Sequence, residues 1–166
     1  MKKVLVIMGS ASDLPVVRKA IDTLTSLEIP YEVHVASAHR TPDEAAEYAA
    51  DAEKNGFGVI ISAAGMAAHL GGVIASRTLL PVIGIPCSSN KLDGIDALLS
   101  TVQMPSGIPV ATVAIDGAVN AALLSAQILA LGEPSLAEKL RARRESDRQG
   151  VLEKNAEIEK EFNCRK

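Results

Sequence analysis

Cysteine is scarce in this chain, with two in 166 residues, Cys87 and Cys164, far apart and outside any metal-ligand spacing. That excludes a disulfide framework and a thiolate metal cluster, and it suits a reducing cytoplasm. No apolar run is long enough to span a bilayer, so no membrane partner is expected. The amino-terminal MKKVLVIMGSASD pairs two lysines with an apolar run of about five residues, shorter than the core of a signal peptide and followed by no cleavage-like site. It reads better as a first β-strand. Basic charge is also short: 17 Lys and Arg stand against 20 Asp and Glu, for a net charge of −3 and a pI near 5.6. A nucleic-acid partner, which would need a clustered basic face, is therefore not expected.

Charge of either sign is missing from the middle of the chain. Between Phe57 and Gly132 stand five charged residues, Arg77, Lys91, Asp93, Asp96 and Asp116, while the stretch from Glu133 onward holds nine of the 17 Lys and Arg. A monomer covers its surface with such residues, so the charge-poor half is expected to lie against copies of itself in a homo-oligomer.

What is present is a repeated pattern. KVLVIM (3–8), Tyr31 to Ala36, GVIIS (58–62), PVIGIP (81–86) and Val110 to Ile115 read as strands, the continuous apolar runs being typical of strands covered on both faces. Between them lie helical segments: one after Pro15, then Pro42 to Lys54, a short one ending near Arg77, Asp96 to Val102, and a small-residue helix from Ala118 to Leu131. Strands alternating with helices predict βαβ units and a parallel sheet of about five strands within one α/β domain over residues 1–132. Gly132-Glu133-Pro134 then opens a charged helical extension over 133–166, expected to pack on a neighbouring subunit. Its candidate contacts are Leu136, Leu140, Val151, Leu152, Ile158 and Phe162, and Gly150 is expected to kink it.

Ligands of parallel sheets bind beyond the carboxyl ends of the strands, where the chain order reverses. Three unusual loops leave strands at that edge. GSASD (9–13) offers a glycine, serine hydroxyls and a helix start suited to an anion, or else a simple helix cap; it is not a dinucleotide fingerprint. ASAHRTPDE (36–44) sets His39 beside Arg40 just before a helix whose Thr41 and Glu44 read as a capping box, with Pro42 at the first helical position. Histidine gives and takes a proton near neutral pH, and arginine grips an oxyanion. AAGMAAHLGG (63–72) surrounds His69 with small residues, suited to closing on a flat ligand or to tight helix packing, with His69 in the latter case bonding a carbonyl. Gln103-Met104-Pro105 and Asn120 fit a site or an interface equally, and His34 has no assigned role.

In their order and spacing, GSASD, SAHRTP, AGMAAHLGG, LPVIGIP, LDGIDALLSTVQMPSGIPVATVAI and NAALLSAQIL resemble the N5-carboxyaminoimidazole ribonucleotide mutases of purine biosynthesis, from about Val4 to Leu131. The AAHL segment is similar to that of the mutase class rather than the class that carboxylates aminoimidazole ribonucleotide directly with CO2. The resemblance implies a flavodoxin-like three-layer α/β/α sandwich, a cytoplasmic homo-octamer with sites shared between subunits, and a reaction without metal, ATP or organic cofactor. It implies that Ser10, Ser12 and Asp13 bind the nucleotide, that Ser37 and Arg40 hold the ribose-phosphate, and that His39 is the general acid/base. It also implies that Gly65, His69 and Leu70 close over the imidazole and carboxyl group. The chain departs from the family at Gly71, where proline is usual, at Met66, where glycine is common, and in a short connection over 115–118. The two other readings are the direct carboxylase and a non-catalytic nucleotide-binding module of the same fold.

Overall fold

The computed structural model describes residues 1–163. Five strands, β1 (Lys3–Met8), β2 (Tyr31–Val35), β3 (Phe57–Gly65), β4 (Val82–Cys87) and β5 (Ala111–Thr112), pair in parallel in the order β2-β1-β3-β4-β5. This is the flavodoxin-like order, which reverses between β1 and β3. The helices are α1 (Leu14–Ser26), α2 (Pro42–Asp51), α3 (Leu70–Ala75), α4 (Ile95–Val102), α5 (Ala118–Ala130) and α6 (Pro134–Phe162).

Alternation along the strands divides the core. Val4, Val6, Val59, Ile61, Ile83 and Ile85 point to the α1/α5 face, and Leu5, Ile7, Ile60 and Val82 to the α2/α3 face. All are buried, which is why β1, β3 and β4 carry uninterrupted apolar runs. Helix α1 docks through Val17, Ala20 and Leu24, spaced three and four apart. Helix α4 lies against Gly84 of β4, where any side chain would run into Thr101.

Several boundaries differ from expectation. β3 runs on to Gly65 because Ala63, Ala64 and Gly65 pair with Ile85, Pro86 and Cys87. β5 shrinks to two paired residues. The N–H groups of Val113 and Asp116 still donate to the carbonyls of Gly84 and Pro86, so those two residues face β5, but Pro86 has no N–H to return and the ladder lapses. α2 ends at Asp51, and the chain turns through Gly56 at φ 84°. α6 continues as one helix through Gly150. Leu136 is fully buried in this chain's own core, which leaves it no surface for a neighbour, and Leu140 packs against the same core while staying partly exposed. Val151, Leu152, Ile158 and Phe162 are exposed. Cys164 lies outside the described residues.

Candidate active site

At the carboxyl ends of β1 to β4 the loops enclose a crevice of about 600 Å³. It opens at the reversal between β1 and β3, where a doubly wound sheet leaves a gap between crossovers that leave in opposite directions.

The first wall follows β1. The N–H of Gly9 donates to the carbonyl of Ala63 at 2.9 Å, which aligns this loop with the end of β3. Ser10 is extended, and its Oγ accepts from the N–H of Ser12 at 3.3 Å and from the Ser12 hydroxyl at 2.8 Å. Asp13 stands just before α1, yet its carboxylate caps no helical N–H. Burial raises its pKa above the ordinary carboxylate value, and a hydrogen bond from the Ser10 backbone partly opposes that. Asp13 is thus a half-buried acceptor facing the crevice, not a helix cap.

The second wall follows β2. Thr41 forms no capping box; its hydroxyl is taken by Ser37, accepting from the Ser37 N–H at 2.8 Å and donating to the Ser37 carbonyl at 3.2 Å. The Ser37 Oγ in turn accepts from the Arg40 N–H at 3.2 Å. The loop is rigid for this reason, and Pro42 at the first helical position continues the restraint. His39 and Arg40 are exposed on this clasp, and among the described residues neither side chain has a hydrogen-bond or ion-pair partner.

The third wall follows β3. At Gly65 a Cβ would lie 3.3 Å from the carbonyl oxygen of Cys87, so glycine lets the two strand ends close up. Met66 then takes a left-handed backbone, φ 54°, a conformation that favours glycine. Met66 and Ala67 line the crevice, and Leu70, 3% exposed, forms part of its floor. His69 does not line it. It is exposed, its ring lies beside Gly72, and Nδ1 is 3.4 Å from the Ser100 carbonyl.

Ser10, Ser12, Asp13, Ser37, His39, Arg40, Gly65 and Leu70 therefore meet in one place, and His69 is not among the residues lining it. Sequence reasoning missed Ser88 and Ser89, which supply a fourth wall after β4. Ser88 is held by Asp116, whose two carboxylate oxygens accept from the Ser88 N–H at 2.9 Å and its hydroxyl at 2.7 Å. A pointer was available: Asp116 is a lone acid in an apolar stretch, and the loop after β4 belongs at the same sheet edge.

The lining is five serines, one carboxylate, one guanidinium and one imidazole, with small residues between, which suits a flat ligand bearing hydroxyls and an anion. Among the described residues no group of three or more His, Cys, Asp or Glu is placed to hold a metal. Cys87, at the end of β4, has its thiol pushed up to about 12, first by burial and then by the charges of Asp13 and Asp116, so it stays protonated and is no nucleophile. A second hollow, of about 310 Å³, lies between β2 and α2 around the stacked rings of His34 and Tyr48, away from the strand ends and lined by acids rather than by an anion-binding group.

The description of the AIR carboxylase family matches residues 3–150. The chain belongs to that family. It is 56% identical over 154 residues to the N5-carboxyaminoimidazole ribonucleotide mutase of Pyrococcus horikoshii, covering 93% of this chain and 87% of that one. It is 54% identical to the Bacillus subtilis protein of the same name, over 92% of this chain and 96% of the other. The crystal structure of Treponema denticola PurE superposes with a TM-score of 0.86 at 29% identity, covering 93% of this member of the family and 97% of that chain.

Proposed function

We infer that this chain is an isomerase of purine biosynthesis that converts N5-carboxyaminoimidazole ribonucleotide to 4-carboxy-5-aminoimidazole ribonucleotide, as the names of its relatives say of them. The observation that carries the reading is the meeting of the serine-aspartate turn, the His39–Arg40 clasp and the small-residue loop in one crevice.

In this reading Arg40 and Ser10 grip the ribotide phosphate, while Ser12, Asp13 and Ser37 accept and donate around the sugar. His39, protonated, gives its proton to the exocyclic nitrogen. The N–C bond to the carboxyl group breaks, releasing CO2 and leaving the neutral amine. The electron-rich ring carbon attacks the CO2, forming the new C–C bond, and the neutral imidazole removes the proton from that carbon, restoring both ring and catalyst. One imidazole serves both halves because the same ring nitrogen that gives the proton can take one back, and such transfer contributes about 10²–10⁴-fold. Holding CO2 against the ring replaces a bimolecular encounter with a local one, worth up to roughly 7–11 kcal/mol. Gly65, Met66, Ala67 and Leu70 keep that CO2 from escaping.

The enzyme acts in the cytoplasm as a homo-oligomer, the octamer implied by the family. In support, α4 exposes Ile95, Leu99 and Val102 at spacings of four and three, and Leu92 just before the helix is exposed as well. The distal half of α6 exposes Val151, Ile158 and Phe162 at spacings of seven and four, a face suited to a neighbouring subunit. A monomer in sedimentation at micromolar concentration would remove the oligomer.

The deciding experiment mixes pure protein with the N-carboxylated ribotide, without ATP or metal, and follows the C-carboxylated product. Conversion is expected. Product formed only from aminoimidazole ribotide plus CO2 would make it the direct carboxylase, and tight binding without conversion would make it a binding module.

A further inference from the structure

The loop that closes the crevice is not held by its own strand. Besides its own tight turns, its polar backbone groups reach Ser100 and Thr101 of α4. The Ser100 hydroxyl accepts from the N–H of Ala68 at 3.0 Å and donates to the Asp96 carbonyl one turn back at 2.8 Å. The carbonyl of Met66 lies 3.2 Å from the same oxygen. The Ser100 carbonyl faces His69 Nδ1 at 3.4 Å, and the neighbouring Thr101 hydroxyl approaches the Ala68 carbonyl at 3.3 Å.

Ala68 is 2% exposed, so water cannot replace a lost acceptor for its N–H. Its other acceptor is the Met66 carbonyl two residues back, at 2.8 Å, in a tight γ-turn whose ring bends the hydrogen bond. That turn follows Met66, which sits in the left-handed region without glycine's freedom. A non-glycine residue keeps such a backbone where the surroundings over-determine it, and the over-determining group here is Ser100. The Asp96 and Ala97 carbonyls take the ordinary back-bond of a helical serine, and outside the helix Ser100 meets only this loop, its hydroxyl accepting from Ala68 and lying near the Met66 carbonyl, its carbonyl facing His69.

We propose that Ser100 is a positioning residue: its hydroxyl, by accepting from Ala68, holds Met66 and Ala67 over the crevice in the geometry that retains CO2 against the ring. The proposal rests on the isomerase reading for its kinetic consequence, but not for its structural one. Ser100 touches no substrate; it acts through the loop. The ribose and phosphate grips, Ser10, Asp13 and Arg40, belong to other walls, so loosening this one lowers turnover more than binding.

The test compares Ser100→Ala and Ser100→Thr in the full-length protein, reading amide hydrogen exchange over residues 66–70, steady-state kinetics with the N-carboxylated ribotide, and thermal unfolding. In the alanine variant exchange at Ala68 is expected to speed at least about tenfold. In the same variant kcat falls about three- to tenfold with KM changed less than about twofold, and threonine restores both readouts. Unchanged exchange at Ala68 would overturn the proposal, as would exchange that speeds equally in the threonine variant. A general loss of folding in the alanine variant would also overturn it, since Ser100 would then hold its helix and not the loop. Should the wild-type protein fail to convert the ribotide, the isomerase reading falls while the exchange result still decides whether Ser100 orders the loop.

Discussion

The two ends of the sheet are built differently. At the amino ends of the strands the chain turns on glycine and proline: Gly56 at φ 84° before β3, Pro81 before β4, and Gly107 at φ 99° before β5. Neither glycine has an atom within 4 Å of where a Cβ would stand. At the carboxyl ends the turns are held instead by side chains on backbone groups, Ser10 on Ser12, Thr41 on Ser37, Asp116 on Ser88 and Ser100 on Ala68. Of the four non-glycine residues at positive φ among the described residues, Met66, Asp93 and Asp116 lie at this end and Glu28 at the other. The lesson is that one end is shaped to reverse the chain at low strain, whereas the other accepts strain and half-buried charge to hold chemical groups in place.

Substitutions can break or sharpen that contrast. The largest effect is expected at the carboxyl end: His39→Asn should leave an oligomer that binds nucleotide but turns over at least about a hundredfold slower. Near-normal turnover would remove the proton-transfer role. Arg40→Ala should come next, raising KM about tenfold or more by removing a charge-assisted grip, with kcat changed far less. An unaltered KM would count against the phosphate assignment.

At the amino end, Gly56→Ala meets no neighbour, so its cost is backbone strain alone, about 1–2 kcal/mol of stability in a denaturant titration, with kcat unchanged. A fall in kcat as large as the stability loss would show that the two ends are not independent. The smallest effect is the most diagnostic. The raised pKa of Asp13 means that ionising it disfavours the folded state. The penalty is absent below the ordinary carboxylate range, where the proton stays on in both states, and it grows as pH rises through the raised value. Asp13→Asn should therefore raise Tm at neutral pH, bring no gain in acid, and weaken ribotide binding. A lower Tm at neutral pH would mean that Asp13 supports the fold instead of the site.

Much of this was legible in the sequence because burial on both faces leaves a clear trace. The runs at 3–8, 58–62 and 81–86 fall on β1, β3 and β4, and Pro15 and Pro42 lie at the starts of α1 and α2. The errors share one cause. Thr41 and Glu44 fit a capping box locally, but Ser37, four residues earlier, claims the threonine hydroxyl. Val110 to Ile115 has the composition of a strand, but its partner offers a proline where a donor is needed. Leu136 sits in a charged segment that looks like an appendage, yet the end of α5 delivers it to the core. In each case a group from elsewhere in the chain set the outcome.

Periodicity and apolar runs depend on each residue's own burial, which composition records, so the chain by itself determined a parallel α/β sheet and the edge at which its polar loops emerge. Which of those polar groups face the crevice was decided by tertiary structure alone. Ser88 and Ser89 line it, His69 is not among the lining residues, and Ser100 reaches its loop from 32 residues away. The reason is that a hydrogen bond belongs to a pair of groups, and the partner's position is set by packing that no local pattern encodes.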